Sequence, residues 1–145
     1  MYLNSPVKVT SKMNGKVMTL SEGEFKSRPG DLIASNYTGA SKQKFMFSTM
    51  NEVFMIKNLA NGSVLDVEGG SSTTYSTVLC YKHHGNKNQL WKVFKESSVE
   101  NAFYIMNIKS NQVLEIEGGI DADGMRIVQN VYYKNLNQLW SIEQV

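Results

Sequence analysis

Apolar residues along this chain fall in short runs broken by turn residues. In the central third the order is Phe54-Met55-Ile56, Asn61-Gly62, Ser63-Val64-Leu65-Asp66-Val67, Gly69-Gly70, Thr77-Val78-Leu79-Cys80-Tyr81 and Gly85-Asn86. β-Branched and aromatic residues bounded by Gly and Asn predict short strands joined by turns. No window places apolar residues at i, i+3, i+4 and i+7 over three turns, so no helix is predicted.

The pattern repeats. Residues 54–91 align without a gap on residues 103–140, and 13 of the 38 positions are identical, among them Phe54/Phe103, Asn58/Asn107, Glu68-Gly69-Gly70/Glu117-Gly118-Gly119 and Asn88-Gln89-Leu90-Trp91/Asn137-Gln138-Leu139-Trp140. A weaker first copy carries Asn14-Gly15, Val17-Met18 and Gln43-Lys44-Phe45 at the matching places. Such a period makes each copy one structural unit. The repeats fall at roughly 1–48, 49–97 and 98–145, leaving no room for a second domain in the 145 residues. Four short strands per copy give about twelve, and an antiparallel chain of that kind hides its edges most simply by closing into a barrel. An all-β pseudo-threefold barrel is the expected fold.

Composition narrows the function. With 41% hydrophobic and 19% charged residues the chain can bury a core, which excludes disorder. Fifteen Lys+Arg against thirteen Asp+Glu leave a formal charge of +2 with no basic stripe, which argues against nucleic acid. No apolar run is long enough for a membrane span, and the first residues lack a signal-peptide core. Cys80 is the single cysteine, so no internal disulfide forms. A cytoplasmic protein, or one secreted without a recognisable signal peptide, is expected.

The elements Gln89-Leu90-Trp91 and Gln138-Leu139-Trp140, with Gln43-Lys44-Phe45 as a variant, resemble the QxW signature of ricin-B-type (R-type) lectins, which are β-trefoils. Leu65-Asp66-Val67-Glu68-Gly69 followed by Tyr81-Lys82-His83-His84-Gly85-Asn86-Lys87-Asn88-Gln89 is most similar to galactose-binding invertebrate members of the earthworm type. The resemblance covers essentially the whole chain. Aromatics ending each copy can each bury about 150–250 Å², enough to fill a barrel axis, and each Gln can satisfy backbone groups left open by a turn. Trp91, Trp140, Phe45 and the three Gln residues are therefore read as structural.

A hexose presents adjacent hydroxyls beside a patch of C–H bonds, so its site needs a carboxylate, an amide and an aromatic face. The resemblance implies that Asp66 accepts from two neighbouring hydroxyls, Tyr81 stacks on the apolar face and Asn88 bonds the same pair. Lys82 and His84 match additional polar contacts. In the third copy Glu115, Asn130, Tyr133 and Asn137 stand in the places of Asp66, Tyr81, His84 and Asn88. That copy keeps a candidate site of altered geometry, with Tyr133 or Tyr132 as a displaced stacking face. In the first copy Thr19 replaces the carboxylate and Lys42 the amide, and a silent site is expected there, although Tyr37 keeps some aromatic surface.

Other chemistries find little support. His83 and His84 are adjacent and point apart, and Cys80 has no second thiol, so a zinc site is not expected. Asp121-Ala122-Asp123-Gly124 lacks the closing Glu of a calcium loop and reads as a solvated acidic turn. Asn36-Tyr37-Thr38 and Asn61-Gly62-Ser63 are glycosylation sequons that matter only in a secreted chain. The expectation is a lectin without catalysis or cofactor, recognising terminal galactose or N-acetylgalactosamine on glycolipids and glycoproteins. A protein-binding, inhibitor-like trefoil and a glycan-targeting toxin subunit are the alternatives. Agglutination requires several sites, supplied either by two sites on one chain or by a homodimer, and the homodimer is favoured.

Overall fold

The computed structural model describes residues 2–145 and contains twelve strands. The first repeat holds β1 (Val7–Ser11), β2 (Val17–Leu20), β3 (Leu32–Ser35) and β4 (Phe45–Met50). The second holds β5 (Val53–Asn58), β6 (Val64–Val67), β7 (Val78–Tyr81) and β8 (Trp91–Lys95). The third holds β9 (Phe103–Asn107), β10 (Val113–Ile116), β11 (Met125–Asn130) and β12 (Trp140–Gln144). All pairings between these strands are antiparallel, and the fold is the β-trefoil. The only helical pieces among the described residues are five 3₁₀ turns of three residues each.

The first and fourth strands of every repeat close a six-stranded barrel through β1–β4, β4–β5, β5–β8, β8–β9, β9–β12 and β12–β1. Hairpins β2–β3, β6–β7 and β10–β11 cap one end, and β11 pairs with β3 across the cap. Within each repeat the barrel closes at a single equivalent pair, Val7↔Phe45, Phe54↔Trp91 and Phe103↔Trp140. This is why an aromatic ends each copy. Phe45, Trp91 and Trp140 are fully buried together, and both indole N–H groups donate inward, Trp91 to the Leu65 carbonyl and Trp140 to that of Leu114.

The recurring Asn58 and Asn107 tie one repeat to the next. Asn58 Nδ2 donates to the Lys42 carbonyl at 3.0 Å, and Asn107 Nδ2 to the Asn88 carbonyl at 3.1 Å. Each Asn thus anchors the QxW turn of the preceding repeat. The acidic turn in the third repeat is exposed, as the sequence reading has it, and its carboxylates also reach the first repeat: Asp121 accepts from Asn14 Nδ2 and Asp123 from the Asn36 N–H.

Candidate functional site

A concavity of about 830 Å³ lies on the second repeat between the end of β6, the end of β7 and the QxW turn. Asp66, Tyr81, His84 and Asn88 line it together. Lys82 is exposed and outside the lining; its part is a backbone one, the carbonyl accepting from Gln89 Nε2 at 2.9 Å. Glu68-Gly69-Gly70 forms one lip, where two consecutive residues at φ of 65° and 64° require glycine.

Asp66 is only 3% exposed. Asn88 Nδ2 donates to its Oδ1 at 3.0 Å and Gln89 Nε2 to its Oδ2 at 2.8 Å. A carboxylate offers about four acceptor positions, so each oxygen keeps capacity for one more donor. His84 Nδ1 accepts from the Asn86 N–H, which leaves Nε2 as the donor, 3.5 Å from Asp66 Oδ2. Burial pushes the Asp66 carboxyl above its usual range, opposed by the hydrogen bonds from Gln89 and Asn88 and by His84. Tyr81 ends β7, is 56% exposed as a residue and lines the cleft, its ring centroid 6.4 Å from that of His84.

Gln89 is structural, as the sequence reading has it, and also holds a side chain of the candidate site. Its Oε1 accepts from the His84 and Gly85 N–H groups and so closes the turn, while its Nε2 holds Asp66. One side chain serves both purposes.

The third repeat repeats the layout with half the volume, about 410 Å³, lined by Glu115, Asn130, Tyr133 and Asn137. Glu115 Oε1 accepts both from Asn130 Nδ2 at 3.0 Å and from Gln138 Nε2 at 2.9 Å. Asn137 Nδ2 reaches the Ile116 carbonyl and not the carboxylate. Tyr133 is exposed at the hollow, but Tyr132 is not available as a stacking face. Its ring lies on Tyr104, 3.9 Å between centroids, and its hydroxyl donates to Glu96. Tyr75, from the preceding repeat's cap hairpin, lines the hollow in its stead. Sequence reading missed it because it lies about forty residues before Glu115.

In the first repeat Thr19 and Ser35 hydroxyls bond each other at 2.7 Å, and Gln43 Nε2 donates to both. Lys42 Nζ turns to Glu22, 3.5 Å away. Two neutral hydroxyls satisfied by one amide stand where the second repeat has a carboxylate.

The sequence model of the ricin-type β-trefoil lectin domain-like family matches residues 41–130 and 87–145. The chain belongs to that family. Among solved structures, this ricin-type domain is similar to a designed threefold-symmetric protein, ThreeFoil, at 22% identity and TM-score 0.88, covering 97% of this chain and 99% of that one. A ricin B-like lectin of Macrolepiota procera, solved with lactose, shows 22% identity and TM-score 0.87 over 100% of this chain and 99% of its own. An exo-β-1,3-galactanase of Clostridium thermocellum matches at 21% identity and TM-score 0.89, with 99% of this chain covering 31% of that enzyme. No curated protein sequence matches the chain.

Proposed function

We propose that this ricin-type domain is a non-catalytic lectin that binds terminal galactose or N-acetylgalactosamine in the second-repeat cleft. The observation that carries the reading is Asp66: a fixed carboxylate with one free acceptor position per oxygen suits two adjacent sugar hydroxyls. Asn88 Oδ1 supplies a further acceptor beside it, and the exposed Tyr81 ring offers a face for the C–H patch of the sugar. Lactose in the Macrolepiota lectin agrees with this substrate class. Acid–base catalysis between paired carboxylates has no support here, because Glu68, the other carboxylate at the cleft, is bound by Arg28 at 3.0 Å.

The third-repeat hollow is a weaker second site, since Glu115 directs both amide donors to one oxygen and leaves the other alone to receive hydroxyls. Avidity for cell-surface glycans then comes chiefly from a homodimer, which doubles the strong site.

The test is Asp66→Asn beside Asp66→Ala. Removing or neutralising an acceptor of two hydroxyls costs roughly 2–4 kcal/mol, or one and a half to three decades of affinity. Both variants should pass through a galactose resin while retaining a cooperative melting transition. Retention equal to the parent would place the sugar elsewhere.

A further inference from the structure

The second-repeat cleft carries two lysines at framework positions where the other two repeats have neutral residues. Lys87 lines it from the QxW turn, and Lys109 enters from the β9–β10 turn of the third repeat. Both are exposed, and neither is ion-paired among the described residues. The Lys109 ammonium rests on the Gly70 carbonyl at the lip of the cleft. Of the two carboxylates at the cleft, Glu68 is paired with a cation and Asp66 is held in place for the sugar. Asp66 is held by two amides, and Glu68 is engaged on both oxygens by Arg28, each at 3.0 Å.

The three repeats serve as internal controls. Met13, Ala60 and Lys109 occupy one equivalent position, identified because each backbone N–H donates to the side chain two residues earlier: Ser11, Asn58 and Asn107. Ser41, Lys87 and Leu136 likewise open the three equivalent 3₁₀ turns. A methionine, an alanine, a serine or a leucine satisfies the fold at these places, so neither lysine is a folding requirement.

We propose that the second-repeat cleft selects galactosides that carry a negative charge, as a sulfate ester or a carboxylate, and that Lys87 and Lys109 recognise the charged group. This rests on the galactoside reading for Asp66, Tyr81 and Asn88 and adds the substituent to it. Ammonium groups on flexible stems suit a charged group at the rim, where solvent keeps each contact modest.

Calorimetry with lactose, a sulfated lactose and a sialylated lactose tests the idea, at low and high salt. At low salt a charged ligand should bind roughly three- to tenfold more tightly than lactose, and the advantage should shrink as salt rises. In the Lys87→Gln/Lys109→Gln variant the charged-to-neutral ratio should fall to parity, with the melting curve showing that the variant is folded. A gain confined to the sulfated ligand, or to the sialylated one, supports the proposal and names the group. If lactose binds and neither charged ligand gains, or if the double variant keeps the advantage, the proposal is wrong and the galactoside reading stands. If no galactoside binds, both are overturned.

Discussion

Gln89 donates to Asp66 Oδ2 at 2.8 Å while its own Oε1 accepts from the backbone of His84 and Gly85. The amide therefore fixes the carboxylate against the turn that carries His84, Asn86 and Asn88. Gln138 does the same for Glu115 at 2.9 Å and for the Tyr133 N–H. In the first repeat Gln43 closes its turn in the same way, through the Asn36 carbonyl and the Thr38 N–H, but meets the Thr19 and Ser35 hydroxyls where the other repeats have a carboxylate.

Gln89→Ala should weaken galactoside binding without Gln89 touching the sugar. The variant leaves the Lys82 carbonyl and two N–H groups without their partner, each costing about 1–3 kcal/mol where water cannot replace it. A lower melting temperature together with at least a tenfold loss in calorimetric affinity is expected. A variant that melts lower yet binds as well as the parent would show that Asp66 needs no support.

Acid should release the sugar. Burial holds the Asp66 carboxyl above its ordinary 3.8. The sign follows: the native state takes up this proton before the unfolded chain does, so falling pH relieves the cost of burying the charge and does not unfold the protein through this group. Protonation does remove an acceptor from the cleft. Lactose affinity should therefore decline at a pH above the ordinary carboxylate range while a parallel melting curve stays cooperative. Constant affinity through that range contradicts the role given to Asp66.

Trp91→Ala should cost about 3–5 kcal/mol of stability, since it empties a fully buried site on the barrel axis. Trp91→Phe should cost less, because Phe45 fills the equivalent place in the first repeat, leaving a smaller cavity and the lost hydrogen bond to the Leu65 carbonyl. Chemical denaturation measures both. Full stability in Trp91→Ala with loss of sugar binding would move the indole to the ligand.

Stoichiometry separates the two clefts. Parent protein should bind two galactosides per chain with unequal affinity, Asp66→Ala should keep only the weaker event, and Glu115→Gln only the stronger. Light scattering on the parent should give the mass of two chains. A one-chain mass with strong agglutination would transfer multivalency to the two clefts of a monomer.

Chelation should leave binding unchanged. No group of three His, Cys, Asp or Glu side chains among the described residues is arranged to hold a metal ion. Resin retention that vanishes with a chelator and returns with calcium would refute this and redirect attention to Asp121 and Asp123.

Much of the fold was legible from residue order. The repeated Phe54/Phe103 and Trp91/Trp140 close the barrel at equivalent pairs, and the Gly69-Gly70 and Gly118-Gly119 pairs mark turns that only glycine enters cheaply. Asp66, Tyr81, His84 and Asn88 could be grouped because they belong to one repeat, whose strands β6 and β7 and QxW turn are neighbours both in sequence and in space. Lys82 joined them through the resemblance; it follows Tyr81 directly, is exposed and is not among the residues that line the cleft. Tyr132 and Tyr133 show the same rule, adjacent in sequence with one at the hollow and the other in an aromatic stack.

By itself the sequence determined the period, the strands and the chemical identity of the groups within each repeat, because those depend on local spacing and side-chain type. Only the tertiary structure decided that Lys109 reaches the second cleft, Tyr75 the third, and Arg28 the Glu68 carboxylate. These residues come from neighbouring repeats, and no local pattern encodes a contact made only when the barrel closes and brings one repeat's turns against the next. The same closure buries Asp66 and aims Gln89 at it, so the electrostatics of the cleft belong to the assembled trefoil.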